Sequence, residues 1–304
     1  MKAWVLAGTS FSMVIPMASS YTEKSIRITI TIDNGAGAGT QCVFEGFATQ
    51  VRVTKQGAPE LPKASVRIYG LSEQRMAELT MLSFDALSLR RNAIEIAAGE
   101  AGNALSVIFQ GEVTNSAPDF NAAPSPVMNI EAITAAYPKL IPASPVSVNG
   151  SQTAESLMTQ FSEQAGMTFK NEGVTASVSN CVINGDPISK MEWVANSVGA
   201  DLVMDDNQAV LVPRDAVRGE LSAVAAINPQ TGETGYPTFD SKGIQATCFF
   251  RPDLCVAGYC KIESALPRAT GVWKIYSVTH DLTANCPGGG AWFTTIAGTW
   301  IDKA

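Results

Sequence analysis

The sequence predicts a mainly β protein in which two β-rich regions flank a small α/β insert. Segments with alternating apolar and polar residues, typical of half-buried strands, fill residues ~25–140 and ~215–304. Apolar residues at helical spacing are concentrated between these regions, in residues ~146–213. Turns rich in Gly, Asn and Pro separate most of the predicted strands, as expected for an antiparallel architecture.

The first β region opens with a strand of strict alternation. In Ser25–Asp33 an isoleucine occupies every second position, so one face of this strand is predicted to be buried. The glycine-rich run that follows lacks the G-x-G-x-x-G spacing and the Lys-Ser or Lys-Thr of phosphate-binding loops. Further strands of this region are predicted over Val43–Val53, Ala64–Tyr69, Asn92–Ala98, Leu105–Thr114 and Val127–Thr134.

A short helix is predicted after Leu71, between two of these strands. Ser72 can accept a hydrogen bond from the amides of the first helical turn. Met76, Leu79 and Leu82 recur at helical spacing and form the predicted apolar face.

Three prolines lie in the connection that leads to the insert: Pro138, Pro142 and Pro145. They predict that this connection is rigid and extended. One helix is predicted over Thr153–Ala165. A second is predicted from Ser189, because Ser189-Lys190-Met191-Glu192 matches a capping box. Two apolar runs on either side of Asp205–Gln208 predict a tight β-hairpin.

The second β region begins after a stretch rich in turn-forming residues, Asn228–Asp240. Alternation of apolar and polar residues resumes beyond it and continues to the end of the chain. The predicted strands are Gly243–Phe250, Val256–Ile262, Gly271–Leu282 and Ala291–Trp300.

Composition excludes several classes of protein. Charged residues are 16% of the chain and the net charge is −7, with the Lys and Arg scattered along the sequence. Sequence-specific binding of nucleic acid is not expected, because it requires a basic surface. No stretch reaches the ~18 apolar residues of a membrane-spanning helix, so stable membrane insertion is not expected either. The low charge content fits a surface covered by neutral polar groups or by partner subunits.

The residue types that carry most catalysis and metal binding are scarce. His280 is the single histidine, and alternation predicts that it shares a strand face with Tyr276 and Val278, with Asp281 on the opposite face. A general base needs a positioned partner, so a packing or interface histidine is predicted. The six cysteines contain no C-x-x-C pair and are predicted to be structural rather than ligands of zinc or a redox site.

Three further groups have a functional and a structural interpretation. Asp205-Asp206-Asn207 could suggest calcium, but the EF-hand pattern is missing and a plain hairpin turn is favoured. Glu112, Asp119 and Glu131 could include a glycosidase pair, although nothing in the sequence places two of them together. The tryptophans could stack on sugars, but packing is favoured for them: Trp4, Trp193, Trp273, Trp292 and Trp300. No catalytic, cofactor-binding or metal-binding residue is therefore assigned, and no cofactor is predicted.

The N-terminal segment Met1–Ser20 has two interpretations. One lysine, a short apolar run and small residues near Ser19 have the outline of a secretory signal peptide. The apolar run breaks at Gly8, which favours an N-terminal arm that packs on a partner.

Three stretches together resemble a known family. The first is VRVTKQGAPELPKASVRIYGL at Val51–Leu71, continued by NAIEIAAG and VIFQGEV. The second is Ser151–Pro213, which ends in DLVMDDNQAVLVP, and the third is Gly243–Trp300 with GVWKIYSVTHDL and GGAWFTTIAGTW. In this order they resemble the baseplate hub proteins of contractile-tailed bacteriophages. Those hubs are similar in turn to the hub portion of type VI secretion spike proteins.

The resemblance implies a structural virion protein of the tail baseplate, assembled in the host cytoplasm, and no enzyme. It implies a homotrimer whose two tube-like β-barrel or sandwich domains per subunit form a pseudo-sixfold ring. Such a ring joins the sixfold tail tube to the threefold central spike and forms part of the DNA ejection channel. The implied partners are the tail tube, central spike, tape measure and baseplate wedge proteins. The implied divisions are an N-terminal arm (1–24), two tube-like domains (25–145 and 214–304) and the α+β module between them (146–213).

Two other functions stay open at this point. A secreted β-sandwich module that binds glycans or proteins would gain support from cleavage near Ser19. A cell-wall hydrolase is a third possibility, although the three regions leave no extra domain for it. For the hub, the acidic net charge suggests a lumen along which DNA slides without adhering.

Overall fold

The computed structural model describes residues 22–33, 39–80, 92–121, 125–219 and 225–300. The segment Met1–Ser20, Leu82 and most of the glycine-rich run at 34–39 lie outside the described residues.

The described residues form eighteen strands and four helices. The strands of the first region are β1 (Lys24–Ile32), β2 (Thr40–Glu45), β3 (Thr49–Gln56), β4 (Lys63–Tyr69), β5 (Ala93–Glu100), β6 (Ser106–Asp119) and β7 (Val127–Ile133). The insert contains β8 (Val146–Thr153), β9 (Thr168–Asn171), β10 (Ser177–Ile183), β11 (Ala200–Asp205) and β12 (Gln208–Pro213). The last region contains β13 (Ala225–Ile227), β14 (Thr238–Phe239), β15 (Ile244–Phe249), β16 (Tyr259–Ile262), β17 (Gly271–Ala284) and β18 (Trp292–Trp300). The helices are α1 (Glu73–Leu79), α2 (Ala136–Leu140), α3 (Ala154–Ala165) and α4 (Pro187–Ser197).

One large, mainly antiparallel sheet joins the first and last regions. Its strands follow the order β14-β15-β18-β17-β3-β4-β7-β6-β5-β1-β2, with β16 and β13 branching from β17. The two regions meet where β17 pairs with β3 over eight residues. We call this assembly the main sheet. The insert carries two small sheets of its own, β10-β8 and β11-β12-β9.

The buried apolar side chains form three hydrophobic cores. The first fills the β1–β7 region and also takes in Leu282 and Ala284 of β17. The second packs α3 and α4 against the insert sheets, and the third lies under β15 to β18. The hairpin β11–β12 belongs to two cores, because Leu202 and Leu211 point into the second and Val203 and Val210 into the third.

Most predicted strands and helices of the chain are confirmed, with corrections at turns. Val43–Val53 was predicted as one strand, but the chain breaks at Gly46, whose φ of +80° suits glycine, and continues as β2 and β3. Glu45 and Gly46 interrupt the apolar residues on either side of them, and this glycine was the available signal for the turn.

The predicted start of the second insert helix is wrong. The helix α4 begins two residues earlier, at Pro187, and Asp186 caps it by accepting a hydrogen bond from the Ser189 amide at 2.9 Å. Ser189 is therefore a helical residue, and its hydroxyl also donates to Asp186. Proline in the first turn of a helix needs no amide partner, which explains this start.

The proline-rich connection is only partly extended. Pro138 lies within the short helix α2, near its start, where its missing N–H is tolerated.

The strands β8, β9 and β10 were not predicted, because apolar and polar residues do not alternate regularly along them. Within the described residues, none of the helices has the length and apolarity needed to cross a bilayer.

Candidate functional site

One face of the main sheet lies away from its hydrophobic cores and is lined by polar side chains. Strand pairing places Thr54 opposite Thr279, Thr279 opposite Thr295, and Thr295 opposite Thr247. These four residues, which we call the threonine row, cross β3, β17, β18 and β15. The hydroxyls of Thr247 and Thr295 are 3.0 Å apart. Cross-strand contacts between β-branched side chains stabilise such a surface without burying it.

A second row runs beside the threonine row. Pairing places Ser65 opposite Arg52, and Arg52 opposite Asp281, so these three residues share the same face. Asp281 lies opposite Phe293, which stacks on Phe249 with ring centroids 6.1 Å apart. We call the face that carries both rows the outer face of the main sheet.

The outer face carries charges of both signs, because strand pairing also places Lys63, Arg67 and Glu131 on it. The Nε atom of Arg52 lies 3.5 Å from a carboxylate oxygen of Asp281, and the side chain of Arg52 is 67% exposed, whereas that of Asp281 is 38% exposed. Arg67 and Gln50 lie next to this pair along β4 and β3, around a shallow groove of about 440 Å³. The acidic residues of the chain are therefore not gathered on this part of the surface.

A buried group of charges connects the insert to the main sheet. The Lys55 Nζ atom lies 2.7 Å from a carboxylate oxygen of Asp205 and 3.3 Å from one of Asp206. Asp205 also accepts from Arg218 at 2.6 Å, and Asp206 accepts from the backbone amide of Gln110 at 3.0 Å. We call Lys55, Asp205, Asp206 and Arg218 the ionic junction. It brings together β3, β6, the insert hairpin and the segment that leaves the insert.

The pKa values in the ionic junction follow from burial and from the neighbouring charges. Burial alone would lower the pKa of Lys55, but Asp205 and Asp206 outweigh it and the pKa is raised. Burial likewise opposes ionisation of Asp205, but Lys55 and Arg218 outweigh it and its pKa is lowered. The pKa of Asp206 is raised, first by burial and also by the charge of Asp205. Two basic partners, Lys55 and Arg218, therefore favour the charged form of Asp205, whereas burial disfavours the charged form of Asp206.

A second ion pair lies at the other end of the same hairpin. Asp201 accepts from Lys274 of β17 at 2.7 Å, and Arg214 lies 3.7 Å from it. Lys274 also donates to the backbone carbonyl of Arg214. Together with the ionic junction, this pair gives all three aspartates of the hairpin a basic partner in the β regions or in the segment after the hairpin.

His280 is buried and contacts Thr294 and Phe250. Its Nδ1 atom lies 2.9 Å from the Thr294 hydroxyl, and its ring meets the edge of Phe250 at 5.5 Å. Burial first, and the charge of Lys55 second, lower its pKa to about 3. The prediction that it shares a face with Val278 is confirmed. Tyr276 departs from that face because β17 has a bulge between Ile275 and Ser277.

The carboxylates weighed from the sequence lie on the paired strands β6 and β7, where Glu131 is two residues along β7 from Ile133, the residue opposite Glu112. Glu112 accepts a hydrogen bond from the Tyr137 amide, and Asp119 lies seven residues further along the same strand, on the order of 23 Å away. Glu131 lies on the neighbouring strand β7, opposite Ser65. The six cysteines are free thiols, and the described residues contain no group of three or more His, Cys, Asp or Glu side chains that could hold a metal ion.

The tryptophans form no common platform in the described residues. Trp273 is buried and contacts Trp300 edge to face, with ring centroids 5.0 Å apart. Trp292 packs on Phe250, Trp193 lies on α4, and Trp4 falls outside the described residues. The favoured interpretation, packing, therefore holds for Trp273 and Trp292.

Two features were missed from the sequence. The ionic junction joins Lys55 to Asp205 and Asp206, which are 150 and 151 positions further along the chain, and no local pattern reveals such a pairing. Lys190 was placed in a capping box, but it is fully buried and donates to the Ser144 carbonyl at 2.6 Å, with its Nζ atom 5.5 Å from the Phe161 ring centroid. The position of Lys190 within the apolar stripe of a predicted helix was the sequence signal that could have revealed its burial.

Comparison with known proteins gives one family and one fold. The family model of the baseplate hub gp41 matches residues 25–287. No curated protein matches the sequence.

Solved structures with the same fold include two tail proteins. A 43 kDa tail protein of prophage MuSo2 from Shewanella oneidensis has a TM-score of 0.61 at 9% identity, covering 90% of this chain and 96% of that one. A tail protein from Neisseria meningitidis has a TM-score of 0.62 at 9% identity, with the same coverage. An Escherichia coli component of the type VI secretion system has a TM-score of 0.58 at 8% identity, covering 91% of this chain and 77% of that one.

Proposed function

The chain belongs to the baseplate hub gp41 family of phage tail proteins, and we propose that it acts as a homotrimeric hub between the tail tube and the central spike. The family is a structural one and not an enzyme family. In the proposed assembly, three subunits form a ring that adapts a sixfold tube to a threefold spike and surrounds part of the DNA ejection channel. Its partners would be the tail tube, spike, tape measure and wedge proteins.

The observation that carries this proposal is the continuity of the main sheet across both β regions. The pairing of β17 with β3 gives one polar outer face to strands from both ends of the chain. We infer that this face lines the lumen, because its threonine row offers neutral hydroxyls to a passing DNA. Few phosphate contacts mean weak adhesion, since affinity for DNA grows with the number of phosphates that Lys and Arg neutralise. A near-neutral lumen would serve the same purpose as the acidic one that the net charge suggested.

We also propose the division into two tube-like domains, 25–145 and 214–304, and an α+β module, 146–213, with an N-terminal arm before them. The three hydrophobic cores support this division. The ionic junction and the shared hairpin would then hold the module in one orientation on the tube. The comparisons favour a virion location, in the tail baseplate, and assembly in the host cytoplasm is part of the same proposal.

The test is the solution mass of the full chain by light scattering over a range of concentrations, followed by negative-stain microscopy. The expected species has about 96 kDa, three times the 32.1 kDa chain, and threefold class averages with a central hole. A chain that stays at 32.1 kDa at every concentration would contradict the trimer.

A further inference from the structure

Lys190 of α4 is a buried charged side chain that lies apart from the ionic junction. It is fully buried, and its Nζ atom lies 5.5 Å from the ring centroid of Phe161, a member of the second hydrophobic core. Its ammonium group donates one hydrogen bond, to the backbone carbonyl of Ser144 at 2.6 Å. Within the described residues these are its two polar contacts, and neither partner is a carboxylate. The charge of this lysine is therefore not neutralised by an ion pair.

The Ser144 carbonyl belongs to a short connection between α2 and β8, residues 142–145, which we call the strap. Pro142 and Pro145 form its two ends and have no backbone N–H. In the described part of the chain, the strap takes part in no backbone–backbone hydrogen bond, and none of its residues belongs to a hydrophobic core. Three of its four residues are exposed. The bond from Lys190 is therefore the one hydrogen bond that holds the strap to the described residues.

The burial of Lys190 works against the closed position of the strap. An ammonium group in an apolar core costs free energy unless hydrogen bonds and an opposite charge compensate for the lost hydration. Of its three donors, one has an acceptor among the described residues, and the Phe161 ring attracts the cation without neutralising it. Ser144 itself is exposed, so the ammonium lies one residue below the surface. Moving the strap aside would break one hydrogen bond and hydrate the ammonium group.

We propose that the strap opens and closes in the native protein, and that the buried ammonium group of Lys190 poises it to open. Segments that lack backbone hydrogen bonds and core contacts open locally, at a lower free energy than the whole protein unfolds. Opening would release the entry to the insert, while the ionic junction and the pair of Asp201 with Lys274 hold the hairpin on the main sheet. The insert would then be a jointed module. This inference concerns a single chain and does not depend on the proposed trimer.

Amine labelling of the full wild-type chain tests the proposal. An N-hydroxysuccinimide ester of acetic acid should acetylate Lys170 at once, because its side chain is 54% exposed, and Lys190 only while the strap is open. We expect the labelling rate of Lys190, followed by mass spectrometry of its peptide, to stay constant as urea is raised below the unfolding transition. A local opening exposes little surface, and the effect of urea scales with the surface exposed.

Lys55 of the ionic junction provides the internal reference, because it is also buried but is released only when the hairpin leaves the main sheet. Its labelling rate should rise with urea. A Lys190 rate that rises as steeply as global unfolding, or no labelling of Lys190 before unfolding, would overturn the proposal.

The variant Lys190→Met tests the role of the charge. Methionine keeps an unbranched apolar side chain but has no ammonium group to hydrate, so the strap should open less often. Cleavage by thermolysin within residues 139–147 should slow by about tenfold, because cleavage of a locally opened segment follows its open population. The matched control Lys170→Met, at an exposed lysine of the insert, should be cleaved at the wild-type rate.

Cleavage of Lys190→Met at the wild-type rate or faster would show that Lys190 fastens the strap, and would overturn the proposal. If this variant does not fold, the labelling of the wild-type chain decides alone.

Discussion

The side chain of Lys55 reaches from the main sheet to Asp205 of the insert hairpin, where its Nζ atom lies 2.7 Å from the carboxylate. Both side chains are more than four-fifths buried, and Arg218 lies 2.6 Å from the other carboxylate oxygen of Asp205. The hairpin itself packs its two faces into two hydrophobic cores. Apolar packing of this kind tolerates small shifts, whereas a buried ion pair specifies one register. We interpret the pair as the contact that fixes how the insert sits on the sheet.

Replacing Lys55 by methionine should destabilise the protein strongly. The variant keeps most of the buried apolar stem but leaves Asp205 and Asp206 without the ammonium group between them. Breaking a buried pair from one side costs about 3–5 kcal/mol in the free energy of unfolding. Urea denaturation followed by circular dichroism measures this loss.

Lys63 provides the matched control for this variant. It pairs with Glu60 at 3.4 Å, but both side chains are more than half exposed. Lys63→Met should therefore change the free energy of unfolding by less than about 1 kcal/mol. Equal effects of the two substitutions would contradict a special role for the ionic junction.

His280 should make the protein sensitive to mild acid. Its pKa is about 3 in the folded chain, against ~6.5 in an unfolded one, so the unfolded state takes up the proton first. The stability it contributes is present above pH 6.5 and is lost as the pH falls towards 3. Between pH 7 and pH 5 this loss amounts to about 2 kcal/mol.

The variant His280→Gln isolates this effect, because glutamine can still hydrogen-bond the Thr294 hydroxyl but does not titrate. We expect its free energy of unfolding to change less between pH 7 and pH 5 than that of the wild type, by about 2 kcal/mol. Parallel pH dependence in the two proteins would show that His280 is not buried as a neutral group.

Features that depend on local pattern could be predicted from the sequence, and those that depend on distant contacts could not. The β1 strand and the β11–β12 hairpin follow from alternation and from a two-residue turn, both of which are short-range signals. The same Asp205 and Asp206 were interpreted only as turn residues, because their partners Lys55 and Arg218 lie in other regions of the chain.

The start of α4 gives a prediction about capping. Asp186→Ala removes the acceptor of the Ser189 amide and should cost about 1 kcal/mol in the free energy of unfolding. A capping box at Ser189 would instead make Glu192 the important residue. Glu192→Gln should therefore have little effect when both variants are compared by urea denaturation. A larger loss for Glu192→Gln than for Asp186→Ala would restore the capping box.

The outer face gives a prediction about DNA. If it lines the lumen, its neutral threonine row keeps DNA from adhering, and adding positive charge there should create adhesion. The triple variant Thr54→Lys, Thr279→Lys and Thr295→Lys adds three ammonium groups per subunit at half-buried positions of this face. The assembled variant should retain DNA in a filter assay at low salt and release it as salt rises, because binding by Lys depends on the release of counterions.

A control with three lysines on the insert surface, at Thr159, Gln164 and Ser197, should retain less DNA. The wild-type ring should retain none, and strong retention of DNA by it at low salt would contradict a non-adhesive lumen.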